Sequence, residues 1–448
     1  RSSESFFQRG IHLRKSVNVV FIALDTLRAD HMSCYGYGFE TTPKIDGFAD
    51  DAVLFEDCIA PAIPTHPGYT TMFTGVNPLK HGVVCHAGSH SLSREIPLLS
   101  QILYNQGYAT VAVDNLTATR APWFQRGYEY YVFSGGATVI SGGYKVTGEV
   151  TTKKALTFLR LWKEGQLGSK PLFMFIHYWD PHAPYFPPPP FRETFYKPPK
   201  TVTPLKPWMK KTIWGRKLLK GWVGKILEEH DDKTFVDRLY DDEILYTDHQ
   251  VSQILDYLKE SEIYDDMIIV ITADHGELLC EHNIFYDHHG LYEGDIHVPL
   301  IIKAPNLGQG TRVKGFVSHE DIPPTILKLL NIKPETCFDG ISLVDAIQEG
   351  DSGRNFVVSV ENTRMTKRAI RTERWKLIQT LRPDVYGNSA GHLELYDLKK
   401  DPEEKENLAD SEETVVQDLM LRLENWYRTK LGGRPDPLMT QPLSLPIR

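Results

Sequence analysis

The sequence predicts an α/β fold: a doubly wound, mostly parallel sheet, followed by a smaller C-terminal α+β unit with an antiparallel sheet. Three observations predict it. Apolar runs of strand length recur along the chain, and several of them end on polar clusters. Helical stretches alternate with these runs up to about residue 350, as in a parallel sheet. Beyond about Gly353 short strands follow one another without long helices between them. The expected boundary therefore separates residues 1–350 from 351–448.

Val17 to Leu24 is a near-continuous apolar run that stops at Asp25, as expected of a strand buried on both faces. Ile45 to Asp51 reads as a short helix and Val53 to Phe55 as a strand leading towards Thr65. Leu98 to Gln106 reads as helix, broken by Gly107, and Ala109 to Val113 is a strand ending at Asp114 and Asn115. Thr151 to Lys163 is helical. Pro171 to Ile176 is a strand running into His177, Asp180 and His182. Pro187 to Pro190 must be extended. Residues 207 to 227 interleave Lys and Arg with Trp208, Ile213, Trp214, Leu218, Leu219, Trp222 and Ile226, a pattern that predicts one amphipathic cationic helix. We read 187–235 as an insertion that forms a lid or a subunit contact in preference to a membrane-surface element. Asp237 to Lys259 is a long helix, Met267 to Thr272 a strand ending at Asp274 and His275, and Val298 to Ile302 another strand. In the C-terminal unit, strands are expected at 356–360, 367–371 and 375–379 and a helix at 413–429, with a Pro-rich tail after Gly432 wrapping over the surface.

The chain of 448 residues is long enough for a large core. A net charge of -8 gives no overall footprint for nucleic acid. No apolar run approaches the roughly 20 residues that span a bilayer, so no stable membrane insertion is expected. Five scattered cysteines without zinc-site spacing favour a reducing compartment. We therefore expect a cytoplasmic protein, or a periplasmic one if a leader was removed, with homo-oligomers admitted.

Thr65 stands between Pro64 and Gly68 just before a helical stretch, a frame that presents a hydroxyl at a helix N-terminus. On its own such a threonine is an ordinary N-cap. Several strand ends offer partners for it: Asp25, Asn115, Asp180 with His182, and Asp274 with His275, while a later loop adds His288. Carboxylates and imidazoles converging on an oxygen nucleophile point to a divalent metal. Asp25, Asp274, His275 and the Thr65 oxygen form an O-rich set that would admit Mn, Mg, Ca or Zn.

Six segments then resemble the sulfatase family of the alkaline phosphatase superfamily. They are Val19 to Asp30, Thr65 to Gly82, Asp180 to Tyr185, Thr272 to Glu277, Leu291 to Pro299 and Glu394 to Pro402. The resemblance implies an alkaline-phosphatase-like sandwich as the catalytic unit. It places Asp25, Asp274 and His275 at metal-ligand positions, Thr65 at the nucleophile position and His182 at an anion- or leaving-group-binding position. His288, with His289 beside it, falls where sulfatases usually carry an anion-binding lysine. Asn115 and Thr117 fall where many members have another lysine and a histidine. Asp180 and Tyr69 join them as substrate-binding candidates.

The departures from the family pattern matter as much. Most sulfatases have Cys or Ser in C-x-P-S-R, oxidised to formylglycine, whose hydrate expels sulfate by elimination. Here the frame reads Thr65-His66-Pro67-Gly68-Tyr69, and threonine cannot form that aldehyde. The frame also resembles that of nucleotide pyrophosphatase/phosphodiesterases. Tyr69 replaces an arginine, and Thr26 a second carboxylate. A second metal at Asp180, His182 and His288 or His289 is admitted by analogy with two-metal relatives. The expected activity is hydrolysis of a small anionic ester, a phosphodiester or phosphonate monoester through a covalent Thr65 intermediate, with His182 or His288 as acid and base. The alternatives are a sulfuric ester hydrolase without formylglycine and a non-catalytic anion-binding homologue.

Overall fold

The computed structural model describes residues 17–86, 90–134 and 147–443. The chain start and the last residues of the Pro-rich tail, on which the leader and tail expectations fall, lie outside the described residues. Eight strands form the main sheet. Named by their first residues, they run in the order Thr311, Val53, His297, Met267, Asn18, Leu172, Ala109, Tyr130. From Met267–Thr272 to Tyr130–Val132 all neighbours are parallel. His297–Lys303 runs antiparallel to both of its neighbours, which makes the sheet mixed on that side.

The central strands Asn18–Leu24, Leu172–Tyr178 and Met267–Thr272 are buried along their whole length. Such burial explains their largely apolar runs, because a parallel sheet covered on both faces admits a polar side chain only where it finds a partner. Asn18 finds one in the Leu172 amide, and His177 in Asp25 and Asp114. One helical group packs Pro43–Ala49, Gly148–Lys163 and Lys233–Glu260 together; another brings Thr65–Thr74 against Leu99–Asn105 and Ile322–Leu329. The first strand of the sheet, Thr311–Ser318, was not foreseen. Its sequence TRVKGFVS mixes exposed polar positions with a glycine, and its register with Val53–Ile59 slips between Val313 and Phe316.

The second sheet is five-stranded. Leu393–Asp397, Trp375–Thr380, Thr366–Thr372 and Phe356–Asn362 pair antiparallel in that order, and Ala62–Ile63 adds a parallel edge. That last strand lies immediately before Thr65, so the second sheet grips the chain that delivers the threonine. The helix Glu413–Leu431 buries Leu419, Leu423 and Tyr427 against this sheet in a core of its own. The expected helix over 207–227 is instead three short ones, Leu205–Met209, Ile213–Leu218 and Trp222–Glu229. Glycine allows the sharp folding. A Cβ on Gly215 would lie 2.2 Å from the Met209 carbonyl oxygen, and one on Gly224 2.0 Å from that of Leu219.

Candidate active site

Strand register builds the site. Ala23 pairs with Thr272 on one side and with His177 on the other. Asp25 and Asp274 therefore occupy equivalent places two residues beyond a paired position, at the carboxyl ends of adjacent parallel strands. Ligand sites of open α/β sheets lie there. Thr65 opens the fully buried helix Thr65–Thr74 and aims at the same point. The close approach of that helix needs glycine at position 68: a Cβ would sit 3.2 Å from the Asp274 carbonyl oxygen.

Asp25, Asp274 and His275 place one ligand atom each within 4.8 Å of one another, and all three are buried. His275 Nε2 lies 3.2 Å from Asp274 Oδ2 and 3.3 Å from Thr65 Oγ1. His275 Nδ1 donates to the Gly276 carbonyl at 2.9 Å, and burial keeps the ring's pKa below its ordinary value. The ring is thus neutral with its Nε2 lone pair facing the carboxylate, the tautomer a metal ligand requires. Asp25 Oδ1 and Asp274 Oδ2 have no hydrogen-bond partner among the described residues. Burial and the Asp274 charge push the Asp25 carboxyl up to about 7. Two orphaned carboxylate oxygens, an imidazole lone pair and a hydroxyl, all buried, fit a divalent cation.

A histidine supports this set from behind. His177 donates from Nδ1 to Asp114 Oδ1 at 2.7 Å and from Nε2 to Asp25 Oδ2 at 3.2 Å. Burial opposes its charge, but the two carboxylates prevail and raise its pKa to about 9. The expected set left out this role for His177 and Asp114, which only register reveals.

The other expected residues are placed as follows. His288 stacks near His275, with ring centroids 4.2 Å apart, and its Nδ1 lies 3.4 Å from Glu277 Oε1. His182 sits 5.5 Å from His288 by ring centroids and donates from Nδ1 to the Ala183 carbonyl at 2.5 Å. Burial lowers the pKa of both rings. His289 bonds the Tyr386 hydroxyl through Nε2 at 2.8 Å. Asp180 faces the N-terminus of the Gly148–Lys163 helix, where a Cβ on Gly148 would meet its Oδ2 at 3.3 Å. Asp180, His182, His288 and His289 thus do not close into a second three-ligand set among the described residues.

Tyr69 is wholly buried, its ring 5.0 Å from that of His177 and stacked on Phe73. Burial raises its phenol well above the ordinary value, so it brings no charge to the site. Asn115 Oδ1 accepts from the Ser134 amide at 2.9 Å, and Thr117 lies beside Tyr131. A second histidine pair was not anticipated. His66 shares a hydrogen bond with Thr119 Oγ1 at 2.6 Å, and its ring lies 4.5 Å from that of His86.

Comparison with known proteins supplies the family and the fold. The Sulfatase family model matches residues 17–332, and the chain belongs to that family; it is an ester hydrolase. A second model, N-sulphoglucosamine sulphohydrolase, C-terminal, matches residues 280–429. Among curated relatives, the chain is 22% identical to an N-acetylglucosamine-6-O-sulfatase of Bacteroides thetaiotaomicron, covering 94% of this chain and 88% of the relative. It is 25% identical to an arylsulfatase of Clostridium perfringens, covering 88% and 91%. Its fold superposes on the phosphonate monoester hydrolase of Agrobacterium radiobacter with a TM-score of 0.76 at 22% identity, over 93% of this chain and 96% of that one. The sulfatase family generally binds a divalent metal, and the Asp25–Asp274–His275 set is this chain's candidate site.

Proposed function

We propose that this chain hydrolyses a phosphodiester or phosphonate monoester by in-line attack of Thr65. The observation that carries this reading is Thr65 Oγ1, 3.3 Å from the unprotonated Nε2 of His275 and beside two orphaned carboxylate oxygens. Asp25, Asp274, His275 and Thr65 would hold one divalent ion. When bound, it supplies positive charge for ionisation of the threonine and for the charge gathering on the ester oxygens.

Threonine decides between phosphorus and sulfur. Attack of Oγ1 on the ester forms an O–P bond and breaks the bond to the leaving oxygen. The proton that the threonine hydroxyl gives up is balanced by the one the leaving oxygen gains. Water then attacks the phosphothreonine and Oγ1 departs. A sulfated threonine has no second hydroxyl through which to expel sulfate, so release would need direct attack of water at sulfur. His182 and His288, held neutral by burial, are fitted to take a proton from the attacking water. Glu277, raised to about 7 by burial, orients His288.

Sulfate ester hydrolysis is the second reading, favoured by the sulfatase names of the curated relatives. A panel of p-nitrophenyl esters tests both. A phosphonate monoester or phosphodiester turned over at least tenfold faster than the sulfate is expected; the reverse order would assign the chain to sulfate esters.

A further inference from the structure

Between Thr194 and Leu227 the chain carries nine lysines and arginines and no carboxylate, within a protein of net charge -8. Eight of the nine are exposed, Lys206 being half-buried. None of them forms an ion pair with a carboxylate of the described residues. Lys206, Arg216, Lys217 and Lys225 lie in the three short helices and Lys210, Lys211 and Lys220 in the turns between them, while Lys197 and Lys200 precede the first helix. The helices close against each other at Gly215 and Gly224, so most of the charges sit on a compact unit.

This unit is fixed to the strand and loop that lead into His288. Trp208 Nε1 donates to Asn283 Oδ1 at 2.9 Å, and Trp214 Nε1 to the Phe285 carbonyl at 3.3 Å. The Arg364 guanidinium lies 3.8 Å over the Trp214 ring and also holds Asp287, the residue before His288. Trp222 packs on Tyr185, three residues past His182, with ring centroids 4.9 Å apart. A concentration of positive charge thus borders the site.

We infer that the 197–225 unit is an exosite for a flexible polyanion, a linear chain bearing repeated phosphate or sulfate groups, held while one ester reaches Thr65. The inference rests on the anionic-ester chemistry proposed above. Charge complementarity selects the class, since a cationic rim concentrates and steers a multiply charged substrate. Two features argue against other anions. Trp208, Trp214 and Trp222 are half-buried and engaged by Phe285, Arg364 and Tyr185, which disfavours the open stacking platform of a single-stranded nucleic-acid binder. Val202 and Ile213 are the large aliphatic side chains of the unit that are exposed, too few for the apolar face of an interfacial helix. Recognition by charge alone remains.

The test uses the full chain and a variant with Lys210→Gln, Lys211→Gln, Lys220→Gln and Lys225→Gln, all at exposed positions. Salt-dependent binding to dextran sulfate and to inorganic polyphosphate is measured, along with kcat/KM on a small p-nitrophenyl ester. The native chain is expected to bind at least one polymer. In the variant the slope of log affinity against log salt should shrink by about 3, at about 0.7 per lost contact, while small-ester turnover stays within twofold. Whichever polymer binds more tightly identifies a sulfate-bearing or a phosphate-bearing chain. Failure to bind either polymer, or an unchanged slope in the variant, overturns the inference. So does tighter binding to anionic lipid vesicles or oligo(dT). Polymer binding is read without turnover, so a Thr65→Ala protein that still binds separates this exosite from the chemistry of Thr65.

Discussion

His177 joins Asp25 to Asp114, with 3.2 Å to the first carboxylate and 2.7 Å to the second, and all three side chains are buried. Asp114 is itself held by the Leu116 amide at 2.9 Å and by the Tyr131 hydroxyl. The chain of contacts fixes which Asp25 oxygen is spent on protein and which is left for an ion. His177→Gln should therefore weaken divalent-metal affinity by about 10- to 100-fold, the usual effect of removing a group that orients a ligand. Calorimetric titration of Mn or Zn into metal-free protein measures it. An affinity within twofold of the native value would show that Asp25 needs no such support.

Metal binding should also stabilise the fold. Asp25 and Asp274 are buried close together, and a cation held between them would offset their mutual repulsion. Saturating metal, at about 100 times its dissociation constant, should add about 2.7 kcal/mol. Thermal denaturation with and without chelator reads this as a higher midpoint. Asp274→Asn should remove the metal-dependent shift while leaving the chelated protein as stable as the native one or more so.

The pairing between the two sheets carries its own prediction. Lys376 is fully buried between Glu293 at 3.1 Å and Glu404 at 2.5 Å, which ties the Trp375–Thr380 strand to the short helix Glu293–Ile296 before His297. Lys376→Met leaves two buried carboxylates without their cation and should cost about 3–5 kcal/mol. Urea denaturation gives the value, and a loss below 1 kcal/mol would mean that Arg371 alone holds Glu293.

Acid sensitivity has a local source in His81. Its Nδ1 accepts from the Val83 amide at 3.0 Å, its Nε2 faces Thr71 Oγ1 at 2.9 Å, and burial drops its pKa to about 3. The unfolded ring has its ordinary value of 6.5, so between pH 6.5 and 3 the unfolded state binds more protons than the folded one. Stability from this residue is complete above pH 6.5 and falls by about 1.4 kcal/mol per pH unit below it. His81→Gln should flatten the difference in urea midpoint between pH 7 and pH 5; an equal slope in both proteins would remove His81 as the cause.

Much of this architecture is readable from the residues. The buried parallel strands announce themselves as apolar runs, and Asp25, Asp274 and His275 stand at the ends of two of them. Thr65 is recognisable from its Pro and Gly neighbours. What needed coordinates depends on pairing. The place of His177 follows from its register with Ala23, and the antiparallel sense of His297–Lys303 leaves no mark in its sequence. The cationic segment keeps its helical period across Gly215 and Gly224, so periodicity cannot show where backbones approach within contact and the helix breaks. Asp180 was grouped with His182 by proximity in sequence, yet its carboxyl faces the start of another helix.

The central claim is that Thr65 is the nucleophile. Native protein mixed with a phosphodiester and quenched in acid, followed by peptide mass analysis, tests it directly. A phosphoryl-ester adduct on the peptide containing Thr65 is expected, absent from Thr65→Ala, which should lose at least a thousandfold in kcat while still binding metal. An unmodified Thr65 peptide together with substantial turnover by Thr65→Ala would contradict the account.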